Sequence, residues 1–311
     1  MLTGHPFDDL RAIAGQLPEP DNCAAKKVRE ALENKPLDSA SGLAGLASWM
    51  ARWQGTAEPT IAESHICVLA SSYEGHDPSV VTGYIDATSK GAAAVNLLCV
   101  DKGIGLRAIQ MAPEMPHSNQ TEWPEPDCMA AVAFGMEATA AGGHILGLTD
   151  MAPGNAARAL AIVMAIKGIT TDDPLLELAD SEVAAGARAL LEDGIGAADD
   201  PLEIMRRIGG REIAAAIGAL VAARSRRLAV LSDGWAAIAA TAVLEAVTEG
   251  ATEHAVPASA DDALQEAVWA RLGKKPILGV PVGGGPGCGI AMAVSVLGAA
   301  SAMLGLRDQP K

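Results

Sequence analysis

The chain has 311 residues, half of them hydrophobic, with 38 acidic side chains against 23 basic ones. This surplus of negative charge argues against nucleic acid or an anionic membrane as a partner, since both select the opposite sign. Five scattered cysteines without a CxxC pair argue against a disulfide framework and a thiolate zinc centre, and for a reducing compartment.

The length suits one large domain, or a domain with a small satellite. Only two Phe and two Tyr occur beside 33 Gly, which favours closely packed helices over a β-sandwich. The opening MLTGHPFDDL has neither a basic region nor an apolar one, so no secretory signal is read there and a cytoplasmic protein is expected.

The first 58 residues are expected to form a small helical part. DNCAAKKVREALEN carries an Asp-Asn cap signal, and SASGLAGLASWMARW (39–53) places Leu43, Leu46, Trp49 and Met50 on one helical face. QGTAEPT (54–60) reads as a linker. From residue 59 to 311 the pattern changes to short apolar runs, each followed by an Ala-rich helical segment. HICVLAS (65–71), GLRAIQMA (105–112), GGHILGLTD (142–150), RRLAVLSDG (226–234) and KPILGVPVGGG (275–285) are the expected strands. SKGAAAVNLLCVD reads as the helix before the second, and another helix begins near Gly154. Apolar runs without alternation, separated by helices, indicate an α/β fold: a doubly wound, Rossmann-like parallel sheet covered on both faces. The apolar stretch 290–306 falls short of a membrane span and reads as a buried helix.

Ligands of such sheets bind at the carboxyl ends of the strands. Three loops there carry the candidates. PVGGGPGCGIA (281–291) has four glycines in five positions but neither the Walker A lysine nor a GxGxxG spacing. It is either a tight turn or a loop bared so that a ligand can lie against its backbone. TDMAPGNAARALAIV (149–163) puts Asp150 at a strand end, with Asn155 able to cap the following helix, whose free amides would suit a phosphate. LSDG (231–234) places Asp233 where a carboxylate either binds a ribose hydroxyl or caps the next helix. IGGREIAAAIGALVAA (208–223) reads as a helix of small faces for close packing. His65 reads as structural, and His76 beside Glu74 is the better catalytic candidate of the histidines. No HxxxH or HxH spacing and no GxSxG elbow occurs, so neither a metal nor a cofactor is expected.

Taken in order, GAAAVNLL (91–98), GGREIAAAIGALVAA (209–223), LSDGWAAIAATAVLEA (231–246) and the glycine loop leading to AMAVSVLGAAS resemble one family. It is the nicotinate-nucleotide–dimethylbenzimidazole phosphoribosyltransferases of cobalamin lower-ligand synthesis, and the likeness runs from KPLDSASGL (35–43) to SAML (301–304). The resemblance implies a homodimer that transfers phosphoribose from nicotinate mononucleotide to an aromatic base with inversion, releasing nicotinate. It implies a base pocket lined by Tyr73, Met151 and Val282 and a glycine wall of Gly283, Gly284 and Gly285. It further implies phosphate at the amides of Gly154 and Asn155, and ribose at Asp233.

The departures carry as much information. Gly284 stands where the family has the Glu that takes the acceptor's proton, which leaves Asp150 as the surviving base candidate. Ala156 and Ala157 replace the two threonines of the phosphate loop, and Ser72-Tyr73 replaces an Asp-His pair. No basic residue lies between Lys167 and Arg188, where the family has a Lys. A general base contributes roughly 10²–10⁴ in rate, whereas orienting two reactants contributes roughly 7–11 kcal/mol. Loss of the base alone therefore leaves a slow enzyme. The alternative is a catalytically degenerate relative that binds a nucleotide or base, or one subunit of a heteromeric transferase.

Overall fold

In the computed structural model, which describes residues 5–33, 42–118, 123–192 and 199–305, the central apolar runs become strands buried on both faces. The chain opens with α1 (Pro6–Ala14), α2 (Asn22–Glu33) and α3 (Gly42–Gln54), then β1 (Ser64–Ala70), α4 (Pro78–Ser89), α5 (Ala94–Lys102) and β2 (Gly105–Gln110). It continues through α6 (Glu125–Gly135), β3 (Ile145–Met151), α7 (Asn155–Lys167), α8 (Ser181–Glu192), α9 (Pro201–Ile208), α10 (Arg211–Ser225) and β4 (Ala229–Ser232). The last elements are α11 (Gly234–Val247), β5 (Ala255–Pro257), α12 (Ala263–Arg271) and α13 (Cys288–Ala302).

All strand pairs are parallel, in the order β2-β1-β3-β4-β5. Cys67 stands opposite Leu148 and Leu146 opposite Val230, so β1 and β3 end together at Ala70 and Met151, while β4 ends at Ser232 opposite Leu148. Leu160, Ile162, Ile217, Leu220 and Val243 pack one face, beneath α7, α10 and α11. Val28, Met50, Val95, Ile290 and Leu297 pack the other, beneath α2, α3, α5 and α13. The helices of residues 1–58 join both layers: Phe7 and Leu10 of α1 enter the first core, and Met50 and Trp53 of α3 the second. The apolar helix expected at 290–306 is α13, with Ile290, Ala293, Val294 and Leu297 buried; residue 306 lies outside the described residues. The small faces of α10 allow close approach to α6, where a Cβ at Gly218 would overlap the Val132 carbonyl.

Two local expectations need correction. Residues 275–285 form no strand, because Pro276, Gly279 and Pro281 interrupt the run. Only the Ile277 and Leu278 amides reach the sheet, donating to the Pro257 and Ala258 carbonyls at 2.9 Å. The fifth strand is instead the three-residue AVP of β5. The helix expected across SKGAAAVNLLCVD is broken at Gly91 (φ +73°), so that α4 ends at Ser89 and α5 starts at Ala94. Residues 39–41 of the expected third helix lie outside the described residues. In the 54–60 linker the Gln54 amide clamps both the carbonyl and the N–H of Thr60, at 2.9 and 3.0 Å.

Candidate functional site

The carboxyl ends of β3 and β4, the loop after β5 and the glycine loop enclose a crevice of about 480 Å³. Asp150, Met151, Ala152, Pro153 and Asn155 form one wall, and Pro281, Gly283, Gly285 and Pro286 the facing one. The floor and rim are Asp233, Gly234, Trp235, Asp261, Asp262 and Gln265. The facing wall is backbone because Gly283, Gly284 and Gly285 take φ values of +66°, +82° and +95° in succession, a run that side-chain-bearing residues resist.

Asp150, at the end of β3, is 9% exposed. Its Oδ1 accepts from the Ala236 N–H at 2.9 Å and its Oδ2 from the Asn155 amide at 2.7 Å. Asn155 therefore does not cap α7: the cap position is Gly154 (φ +93°), and the Asn155 side chain turns back onto Asp150. Asp233, 5% exposed, caps α11 by accepting from the Gly234 N–H at 3.1 Å, and it also takes the Ser259 hydroxyl at 3.4 Å. Both carboxylates thus meet the N-terminus of α11, where the helix dipole favours negative charge. Burial outweighs this preference. Loss of solvent, with Glu212 and Asp261 nearby, pushes the Asp150 carboxyl up to about 7 against the Ala236 and Asn155 hydrogen bonds. Burial, with Asp261 and Asp150 nearby, pushes Asp233 up to about 7 as well. The two titrate as an interacting pair. The arrangement can hold and exchange a proton near neutral pH, and it presents negative charge to any cationic centre in the crevice.

Asp150, Met151, Asn155, Asp233, Gly283 and Gly285 are therefore brought together. Val282 and Gly284 lie within the same loop, Val282 half-buried against the core and Gly284 facing Cys288. Gly154 lines an adjoining hollow of about 280 Å³ with His76, Ala156, Ala157, Asp180 and Glu182. The His76 ring rests where a Gly154 side chain would be. Tyr73 is placed elsewhere: 1% exposed, it donates to Glu212 Oε1 behind the crevice, and the Arg158 guanidinium stacks 4.2 Å from its ring centroid. Burial pushes the Tyr73 hydroxyl well above its usual range and also raises Glu212, against the Tyr73 hydrogen bond. Arg158 further donates to the Ile208 carbonyl at 2.8 Å. No Lys or Arg lines the crevice among the described residues, and no group of three or more His, Cys, Asp or Glu among them is placed to hold a metal.

Sequence reasoning missed Asp261, Asp262, Trp235 and Gln265. The available signal was DDALQ, in which Asp262 caps α12 by accepting from the Gln265 N–H at 2.8 Å. A larger cavity, about 800 Å³, opens beyond β2 and is lined by His117, Trp123, Phe134 and Arg211. Arg211 there donates from Nη1 to the Met111, Ala112 and Met115 carbonyls, and burial, with Arg158 and Arg211 nearby, holds His117 down at about 4.

The chain matches the family model DBI_PRT, described as phosphoribosyltransferase, over residues 17–307. It is 37% identical to the nicotinate-nucleotide–dimethylbenzimidazole phosphoribosyltransferase of Agrobacterium fabrum, covering 97% of this chain and 93% of that protein. It is 35% identical to the protein of the same name from Brucella anthropi, covering 96% and 94%. The crystal structure of CobT from Thermus thermophilus shares the fold, with a TM-score of 0.79 at 18% identity, covering 92% of this chain and 97% of that one. The chain is a member of the nicotinate-nucleotide–dimethylbenzimidazole phosphoribosyltransferase family.

Proposed function

We propose that the protein transfers phosphoribose from nicotinate mononucleotide to 5,6-dimethylbenzimidazole or a similar base, giving an α-ribosyl nucleotide and nicotinate. The observation that carries this reading is the crevice itself, in which the glycine loop faces Asp150–Asn155 across a space sized for a flat ring and a sugar. The acceptor ring lies along the bare backbone of Gly283–Gly285, with Met151 and Val282 beside it. The sugar sits over Asp150 and Asp233, whose negative charge favours the positive charge that develops at the anomeric carbon as the nicotinate bond breaks. The phosphate points to the amides at the start of α7, near Gly154 and Asn155. Mixing the protein with nicotinate mononucleotide and 5,6-dimethylbenzimidazole and following α-ribazole phosphate by mass spectrometry tests this reading. Absence of product at high protein concentration would end it.

A second reading is favoured by one specific feature: the crevice lining holds four carboxylates and no cation among the described residues, and Ala156 and Ala157 lack the hydroxyls of the family's phosphate loop. Under it the protein is a degenerate relative that binds the base or nucleotide, or a subunit completed by a paralogue. Calorimetric binding without turnover would distinguish it. In either case a homodimer in the cytoplasm is the proposed setting, supported by the family resemblance, by five free cysteines and by Leu97 and Val100, exposed one turn apart on α5. Sedimentation equilibrium tests the oligomeric state.

A further inference from the structure

Within the proposed transfer, an acceptor ring nitrogen forms a bond to the anomeric carbon while the carbon–nitrogen bond to nicotinate breaks. The electron pair of that bond returns to the pyridine nitrogen, which loses its positive charge. The acceptor must then lose the proton from its second ring nitrogen, and Gly284 offers nothing to receive it.

Four carboxylates line the crevice: Asp150, Asp233, Asp261 and Asp262. Three are committed to the fold. Both Asp150 oxygens are taken, by the Ala236 N–H and by the Asn155 amide. Asp233 caps α11 and holds Ser259. Asp262 caps α12. Among the described residues, Asp261 is the lining carboxylate whose oxygens accept no backbone N–H, and it stands exposed at the rim. It is nonetheless held in place: its own N–H donates to Gln265 Oε1 at 3.1 Å, and Gln265 is 3% exposed. The Gln265 side chain also stands beside the Asp261 carboxylate and opposes the upward push of desolvation and of Asp262. From the rim, Asp261 acts electrostatically on Asp150, on Asp233 and on Cys288 at the end of the glycine loop. It lines the same crevice as Asp150 and Asp233 and as Gly283 and Gly285 of the glycine loop.

We propose that Asp261, oriented by Gln265, is the catalytic residue that takes the acceptor's ring proton, in place of the glycine-loop carboxylate this chain lacks. The proton passes from the acceptor N–H to a carboxylate oxygen of Asp261 as the new carbon–nitrogen bond forms. The inference rests on the transferase reading.

The test compares the wild-type protein with Asp261→Asn and Asp150→Asn, using nicotinate mononucleotide with two acceptors. One is benzimidazole, which must lose a ring proton; the other is 1-methylbenzimidazole, which has none to lose. Because Asp261 is exposed, Asp261→Asn is expected to unfold at the wild-type temperature, measured alongside. Asp261→Asn is expected to lower kcat with benzimidazole by about 10²-fold. Its KM for nicotinate mononucleotide should remain within about twofold of wild type, and its rate with 1-methylbenzimidazole should match wild type. An equal loss with both acceptors, no loss with either, or a loss confined to benzimidazole in Asp150→Asn instead would overturn the assignment. A wild-type protein that makes no product with either acceptor defeats the transferase reading itself.

Discussion

Replacing Asp233 with asparagine is expected to make the protein more stable at alkaline pH while impairing transfer. The Asp233 carboxyl is raised from 3.8 to about 7 by burial and by Asp261 and Asp150. A raised folded value means that the native state holds a proton the unfolded chain releases. The stability tied to that proton is complete below about pH 4 and is lost as the pH climbs through 7. At about 1.4 kcal/mol per pK unit, the ionised form costs the native state up to about 4 kcal/mol at pH 8. Interaction with Asp150 means that this cost is shared by the pair. Asparagine keeps the Oδ1 that caps Gly234 and accepts from Ser259, and it removes the charge. Urea unfolding at pH 4 and pH 8 should show near equality at the lower pH. At the higher one Asp233→Asn should exceed wild type by about 2–4 kcal/mol. A variant less stable than wild type at pH 8, or one with the wild-type dependence on pH, would refute the account of a strained pair of carboxylates. The same variant should form product more slowly, the usual exchange of stability for a charged site.

Three further outcomes follow from the same geometry. Gly284→Ala places a Cβ at φ +82° and 3.0 Å from Cys288 Sγ, so thermal unfolding should report a loss of about 1–2 kcal/mol; unchanged stability would contradict the loop conformation. For the same reason Gly284→Glu, which introduces the carboxylate that the family resemblance leads one to expect there, should lower the thermal unfolding temperature rather than simply rescue activity. Tyr73→Phe removes the hydroxyl donor from fully buried Glu212 and should cost about 1–3 kcal/mol at neutral pH; a neutral effect would mean that Glu212 is satisfied otherwise.

The sheet could be read from the sequence where apolar strands are long and central. VLA in β1, ILGLTD in β3 and AVLS in β4 are buried on both faces, and the unbroken apolar pattern records that. The pattern failed at the sheet edge. AVP in β5 is too short to register, whereas KPILGVPV carries the composition of a strand but has prolines where a ladder needs N–H groups. That exchange hid the loop after β5, and with it Asp261 and Gln265. The glycine loop and Asp150–Asn155 were legible because positive φ and strand-end carboxylates leave residue-type signatures. The burial of Tyr73 was not, because its partner Glu212 lies 139 residues away in the chain and only the fold brings them together.

A crystal structure of the protein with nicotinate mononucleotide at saturating concentration would decide where the donor binds. The nucleotide is expected between Asp150–Asn155 and Gly283–Pro286, its ribose over Asp150 and Asp233 and its phosphate at the start of α7. An empty crevice, or a nucleotide bound in the larger cavity beside Trp123 and Arg211, would contradict the proposed site.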